Sequence, residues 1–541
     1  MTILTQNYLN SLANQTFIIT DDYDMAGNNL TFNGITLNFN GGTISNGTMT
    51  LNNCTMSGNI YHSINAVVEG SIANNSINSS WFTRIGQMKF NYTNKTINFD
   101  ENAIIQSGDT VTIDNVSYAT FNGINNSFSC YVNFFEIYDN CSHIEIKNFN
   151  ATAINAPEYG STENISFLKM GTHLPEGDYS AYESATPRSY ILVHHNNLTL
   201  FNVGISLGAD SGPKIVSSQV YQNHIFGTVG TEAGYGYGIH LANAYSCTVN
   251  DNYIEHSTRH AIYNAWGNGN AITDNIIKEH WKNVGMVNPP SQQPSRGLDK
   301  TRAALAVYRK SVGITISGNS FIDSFNTSIA LVSIPDVLGQ NYDTRKYGMM
   351  TSIAITGNSF THTGPHDTTD TNINHKHPAI KIGEAMSYEN IQTGFLINQV
   401  LVKDNSFYAL NSDFLTFCHI YQCNNIELKG NSLTFSSYNF NSPIIHLLVA
   451  FNNANISYLT MNVNVLNNTF VMLNTSPQTY VTVSAFSDVS AHFNSGSQMT
   501  ILNNTLVNQY VSGIQMYQLY YNFNATAYGT LPSGFVLQLE S

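Results

Sequence analysis

Four residues after a recurring asparagine the chain carries His256, Glu279, Asp323 and His362, with Glu255, Arg259, His260 and His280 beside them. Paired carboxylates are the working groups of glycoside hydrolysis, about 5 to 5.5 Å apart for retention and about 6.5 to 9.5 Å for inversion. Equivalent positions on stacked strands lie about 4.8 Å apart, which offers the first separation, and splayed side chains reach the second. Glu279 and Asp323 are therefore the expected catalytic pair. Acidic residues at turns also serve merely to keep a face soluble, and the spacing alone does not separate the two roles.

A second set comes from the short segments GIHLA, AIYNA, AVYRK, SIALV and AIKIG. Aligning their inward aliphatics, Ile239, Ile262, Val307, Ile329 and Ile380, puts His240, Tyr263, Tyr308, Ala330 and Lys381 in one outward column. Rings with adjacent donors suit a long polar glycan, so His240, Tyr263, Tyr308, Lys381, Arg259 and His260 are the expected substrate-binding residues. Tyr and His are also ordinary strand residues. The rival chemistry on this face is β-elimination, with Tyr263, Tyr308 or His260 as base and Arg259, Arg302 or Lys381 holding the growing enolate charge. No D-x-D-x-D cluster occurs, so neither metal nor other cofactor is expected.

The elements that must position these groups are legible in TVNDNYIEHSTRHAIYNAWGNGNAITDNIIKEH, residues 248–280, which says nearly the same thing twice, with Asn252 and Asn275 23 residues apart. The asparagine recurs at Asn196, Asn223, Asn319, Asn358, Asn405, Asn431, Asn468 and Asn504. Residues five before, three before and two after it are mostly apolar, as in Ile314, Ile316 and Phe321 around Asn319. Alternation marks strands, and the change of parity across the asparagine marks a bend. A period this short fits one coil of a parallel β-helix, with the asparagines stacked as a hydrogen-bonded ladder that tolerates left-handed backbone. Wider intervals locate insertions at residues 283–301, 335–350 and 363–377, which are expected to wall the binding face.

Domain organisation follows from where the pattern lapses. Residues 1–80 read as an N-terminal β cap or first coils, 81–505 as the β-helix, and 506–541, rich in tyrosine, as a C-terminal cap or trimerisation segment. The chain is only 10% charged but 42% hydrophobic, against about 25% charged in an average soluble protein. A net charge of −14 without basic clusters argues against nucleic acid, and no apolar run approaches the roughly 18 residues of a membrane span. The start, MTILTQNYLNSLANQ, lacks the basic and long apolar stretches of a secretory signal. Six scattered cysteines are expected to be buried free thiols.

The opening TFIITDDYDMAGNNLTFNGITLNFNGGTISNGTM resembles the start of β-helical bacteriophage tailspike and tail fibre proteins, and GYGIHLANAYSCTVNDNYIEHSTRHAIYNAWGNG is similar to their coils. Of the WFGAxGDGxTDDTxAIQ element that many members carry, only Trp81 and Phe82 stand here. The resemblance implies a homotrimeric virion protein built on a right-handed parallel β-helix, a pectate-lyase-like solenoid, and made without a signal peptide. It implies that such a protein recognises and often cuts a bacterial surface polysaccharide and meets other tail proteins through its N-terminal region. A non-enzymatic receptor-binding spike, and a cellular β-helical polysaccharide enzyme, are the alternatives.

Overall fold

The computed structural model describes residues 1–157, 163–209, 212–230, 235–280, 303–324, 327–333, 348–363, 378–383, 397–410, 417–421, 423–435, 445–449, 462–473, 481–487, 498–508, 515–521, 526–527 and 536–539. The chain divides into two compact units, Met1–Phe226 and Gly227–Ser541.

In the first unit, residues 2–72 hold parallel-paired strands around the long strand Ile44–Asn59, which takes Asn29–Asn33, Thr36–Asn40 and Ile64–Ile72 as neighbours. The following coils each contribute three short strands to three parallel sheets. Ser117–Asn122, Ser142–Lys147 and Arg188–His194 stack in one, and Ser127–Cys130, Asn150–Ala153 and Asn197–Thr199 in another. Val111–Ile113, Phe135–Ile137, Ser166–Met170 and Val203–Leu207 form the third. Inside, Phe99, Phe128, Phe134, Phe135 and Phe149 pack ring on ring, with centroids 4.5 to 6.0 Å apart. All six cysteines are free and buried, and burial pushes the Cys130 and Cys418 thiols up.

One polar cluster on this unit ties its stability to pH. Glu145 accepts from Lys147 Nζ, Thr120 Oγ1 and His194 Nε2, each at 3.0 Å, while His194 Nδ1 meets His195 Nδ1 at 2.6 Å and its ring stacks on Tyr221. Burial, opposed by Glu145, pulls the His194 imidazole below its usual range. Burial pushes Glu145 up, but the bonds from Lys147, His194 and Thr120 outweigh it and hold the carboxyl below its usual range. The folded state therefore resists protonating His194 where an unfolded imidazole accepts a proton, and it loses the Glu145 bonds as pH falls further. Both signs agree. The urea midpoint is expected to fall from about pH 7 to about pH 5, and His194→Gln should flatten the upper part of that slope.

The second unit repeats the three-strand coil. Thr248–Asn250, Ala271–Thr273 and Thr315–Ser317 belong to sheet 1. Tyr253–Glu255, Ile276–Lys278 and Ser320–Ile322 belong to sheet 2. Tyr237–Ala242, His260–Ala265, Leu305–Tyr308, Ile329–Val332 and Ile380–Ile382 belong to sheet 3. The architecture is a parallel β-helix, as the period implies. Its sheets run on past Asn504, with Val536–Leu539 paired to Gln498–Leu502 and Gln515–Tyr521 to Val481–Ser487.

The asparagines do form a ladder. From Asn252 through Asn275, Asn319, Asn358, Asn405, Asn431, Asn468 and Asn504, each backbone N–H and each Nδ2 donates to the Oδ1 of the next asparagine at 2.8 to 3.0 Å. In the first unit Asn196 bonds Asn223 in the same way. The left-handed backbone falls one residue earlier than the bend assignment has it, on Asp251, Asp274, Gly318, Gly357, Asp404 and Gly430. Those are the residue types that bear positive φ at least cost, which leaves the asparagine side chain free to bridge coils. Asn319→Ala strips the acceptor from the buried Asn275 N–H and the donor from Ile272 O. At about 1 to 2 kcal/mol for each of these two buried groups left unpaired, the loss should reach about 2 to 4 kcal/mol in urea unfolding.

Candidate functional site

Sheet 3 of the second unit carries the densest grouping of rings and cations. His240 and Tyr263 are in register on neighbouring strands, with centroids 5.5 Å apart. Tyr237 makes a triangle of near-parallel rings with Tyr263, at 5.1 Å and 8°, and His260, at 5.6 Å and 15°. Tyr263 also stacks on His260 at 5.2 Å and meets Tyr308 at 5.8 Å. The Arg259 guanidinium sits over the Tyr237 ring at 5.4 Å, and that of Arg309 over Tyr308 at 5.6 Å. His260 Nδ1 lies 2.6 Å from Ala303 O. Where flat faces are spent on neighbouring rings, recognition falls to ring edges, hydroxyls and guanidinium groups rather than to open faces.

Two corrections to the outward column follow. Tyr263 pairs with Ala306, not Tyr308, and Tyr308 stands opposite Ala265 and Val332, two residues along. Leu305 takes the inward place given to Val307. The remaining members hold: Ala306 leads to Ala330, Lys381 and His419 in register. Second, this face is less open than alternation implies. Ile329–Val332 and Ile380–Ile382 are buried at every residue, and Lys381 is only 9% exposed. His240, Tyr263 and Tyr308 keep intermediate exposure.

The corner column is also partly as expected. Glu279 and Asp323 directly follow the paired residues Lys278 and Ile322, so they occupy the same corner on consecutive coils, about 4.8 Å apart along the axis. His256, Glu279 and Asp323 all have left-handed backbone, at φ 56, 46 and 49, whereas His362 ends its strand and is buried. Glu279 Oε2 is 3.4 Å from His256 Nδ1. Asp323 accepts from the Thr363 N–H at 2.6 Å and from its hydroxyl at 2.9 Å. Glu255 accepts from the Tyr253 hydroxyl, and burial together with that carboxylate pushes the tyrosine up. His280, fully buried, sits 3.1 Å from the Ser257 hydroxyl.

Tyr237 and Arg309 escaped the pattern. Tyr237 stands two before the inward Ile239, so alternation counts it as core, and it is buried, yet its ring stacks on Tyr263 of the next strand, three residues past its register partner His260. As the first residue of its strand it still belongs to the corner, where the two-residue period has not begun. Gly236 and Gly238 on either side were the available signal. Residues 283–301, nearly all of 335–350 and 363–377, and Arg302 lie outside the described residues. Among the described residues no three His, Cys, Asp or Glu side chains are grouped to hold a metal ion.

No family model and no curated protein matches the chain. Solved structures do. The catalytic domain of a GH87 alpha-1,3-glucanase in complex with nigerose is 11% identical, covering 85% of this chain and 68% of that one at a TM-score of 0.40. The A-module of the Azotobacter vinelandii mannuronan C-5 epimerase AlgE6 is 7% identical, covering 85% and 90% at 0.37. The Streptococcus pneumoniae surface protein and adhesin PfbA is 12% identical, covering 75% and 91% at 0.36. At these values the likeness carries no argument about activity, and function has to be read from the side chains.

Proposed function

We propose that this protein binds and cleaves a bacterial surface polysaccharide, as a tailspike-like component of a phage virion that acts as a homotrimer. The observation that carries the reading is the cluster of Tyr237, His240, His260, Tyr263 and Tyr308 with Arg259 and Arg309 over its rings, next along the coil from the corner bearing Glu279 and Asp323. Rings, imidazoles and guanidinium groups in a row supply apolar contact and fixed donors to a polar chain that has little charge of its own. Glu279 and Asp323 would divide the work of acid and base or nucleophile in hydrolysis. The preference for hydrolysis rests on that pair.

Spotting purified protein on lawns of encapsulated bacteria tests the reading: a clear halo on at least one strain is expected, and binding to cells without clearing would leave a receptor-binding spike. Tyr263→Ala and Tyr308→Ala should each weaken glycan binding by about 1 to 3 kcal/mol, the range for a packed aromatic anchor, read by titration calorimetry. Light scattering that finds a monomer at micromolar concentration removes the trimer.

The placement of Arg259 over Tyr237, beside Tyr263 and His260, favours elimination as the second reading, because it brings a cation and two candidate bases together. An unsaturated sugar product would decide for it.

A further inference from the structure

In the first unit, Tyr118, His143 and Tyr190 occupy one position on three successive strands, each one residue after the register-matched serines Ser117, Ser142 and Ser189. Their rings stack at 4.3 Å and 18°, then 4.7 Å and 26°. They are nonetheless open: Tyr118 is 61% exposed, Tyr190 50%, and His143 is exposed as well. All three have left-handed backbone, at φ 58, 54 and 55. On the coils that flank them the same position holds Asn94 and Ser217, also left-handed. Asparagine and histidine bear that conformation readily, and a tyrosine bears it poorly. Two tyrosines, Tyr118 and Tyr190, therefore stand where the backbone prefers asparagine or glycine, and the ring of His143 joins them into one stack.

Packing does not explain them, because exposed rings bury little, and stacking only offsets part of the backbone cost. The patch is also wrong for a stable protein interface. Such an interface takes about 800 Å² from each partner around an apolar centre. Here the rings are bordered by Ser117, Ser142 and Ser189, with Ser117 Oγ 3.1 Å from Ser142 Oγ, and by Thr120, Glu145 and Lys147 on the same strands. A narrow aromatic rail beside a hydroxyl rail matches a pyranose, which has apolar C–H faces and a rim of hydroxyls.

We propose that Tyr118, His143 and Tyr190 form a second, non-catalytic glycan-binding platform that holds the polysaccharide chain, an inference that rests on the glycan reading above. The test is affinity electrophoresis of the full chain in native gels cast with dextran, alginate, xanthan or purified bacterial lipopolysaccharide. The wild type should be retarded by at least one polymer. The triple variant Tyr118→Asn, His143→Asn, Tyr190→Asn should lose about tenfold in apparent affinity for that polymer while melting at the same or a higher temperature, since asparagine relieves the backbone. A triple variant that melts lower yet is retarded as before means the rings are a structural stack, and overturns the platform. Retardation abolished by Tyr263→Ala but untouched by the triple variant also overturns it while leaving the glycan reading intact. No retardation of the wild type by any of the four polymers, together with no halo on any encapsulated strain, overturns both.

Discussion

Arg188→Ala is expected to lower the unfolding free energy by about 3 to 5 kcal/mol, because it empties a fully buried site, leaves Tyr138 O and Gly171 O without their donor and takes the cation from Asp139, whose side chain is only 13% exposed. The Arg188 side chain is fully buried. Its Nε donates to Tyr138 O at 2.8 Å and one terminal nitrogen to Asp139 Oδ1 at 3.0 Å and to Gly171 O, so it pins three coil segments together. Burial pulls the guanidinium down and Asp139 counters it. Arg188→Lys keeps the charge but cannot make these bonds from a fork, and should recover only part of the loss. Urea unfolding followed by circular dichroism reads both. An alanine variant within about 1 kcal/mol of wild type would mean that water replaces the lost contacts and that the buried pair contributes little.

The largest functional effect is expected at the corner carboxylates. Glu279→Gln and Asp323→Asn should each leave polysaccharide binding in place and lower turnover by about 100-fold or more, the order of magnitude for removing a general acid or base. Reducing-end release against polymer concentration separates the two effects. Asp323 needs a control, because it also caps Thr363, and a variant that failed through the turn would lose stability as well as rate. Should both carboxamide variants keep full activity while Tyr263→Phe or Arg259→Ala abolishes it, elimination replaces hydrolysis as the chemistry.

How much of this was legible in the residues depends on which physical signal carried it. The ladder was, because one residue type doing one job recurs in a fixed apolar frame, and Asn275 bonds Asn319 across 44 residues of chain as Asn252 bonds Asn275 across 23. Alternation sets Tyr308 two residues off because it repeats every second residue, so a slip of two keeps every side chain on its face and leaves the pattern unchanged. Residues 281–302, which precede that strand, removed the counting that would have caught it. Lys381 was put on the correct face but given too much exposure, since alternation reports which way a side chain points and not what covers it. The ring platform at Tyr118, His143 and Tyr190 was invisible because its signal is a backbone torsion, and torsion at a tyrosine leaves no trace in composition.

A polysaccharide lying across the ring cluster of sheet 3 would be seen in a crystal structure with bound oligosaccharide, prepared from the surface polymer of a strain that the protein clears. Sugar rings in contact with His240, Tyr263 and Tyr308, with a glycosidic oxygen within hydrogen-bond reach of Glu279 or Asp323, are expected. An ordered oligosaccharide elsewhere on the protein, with those rings bare, would contradict it.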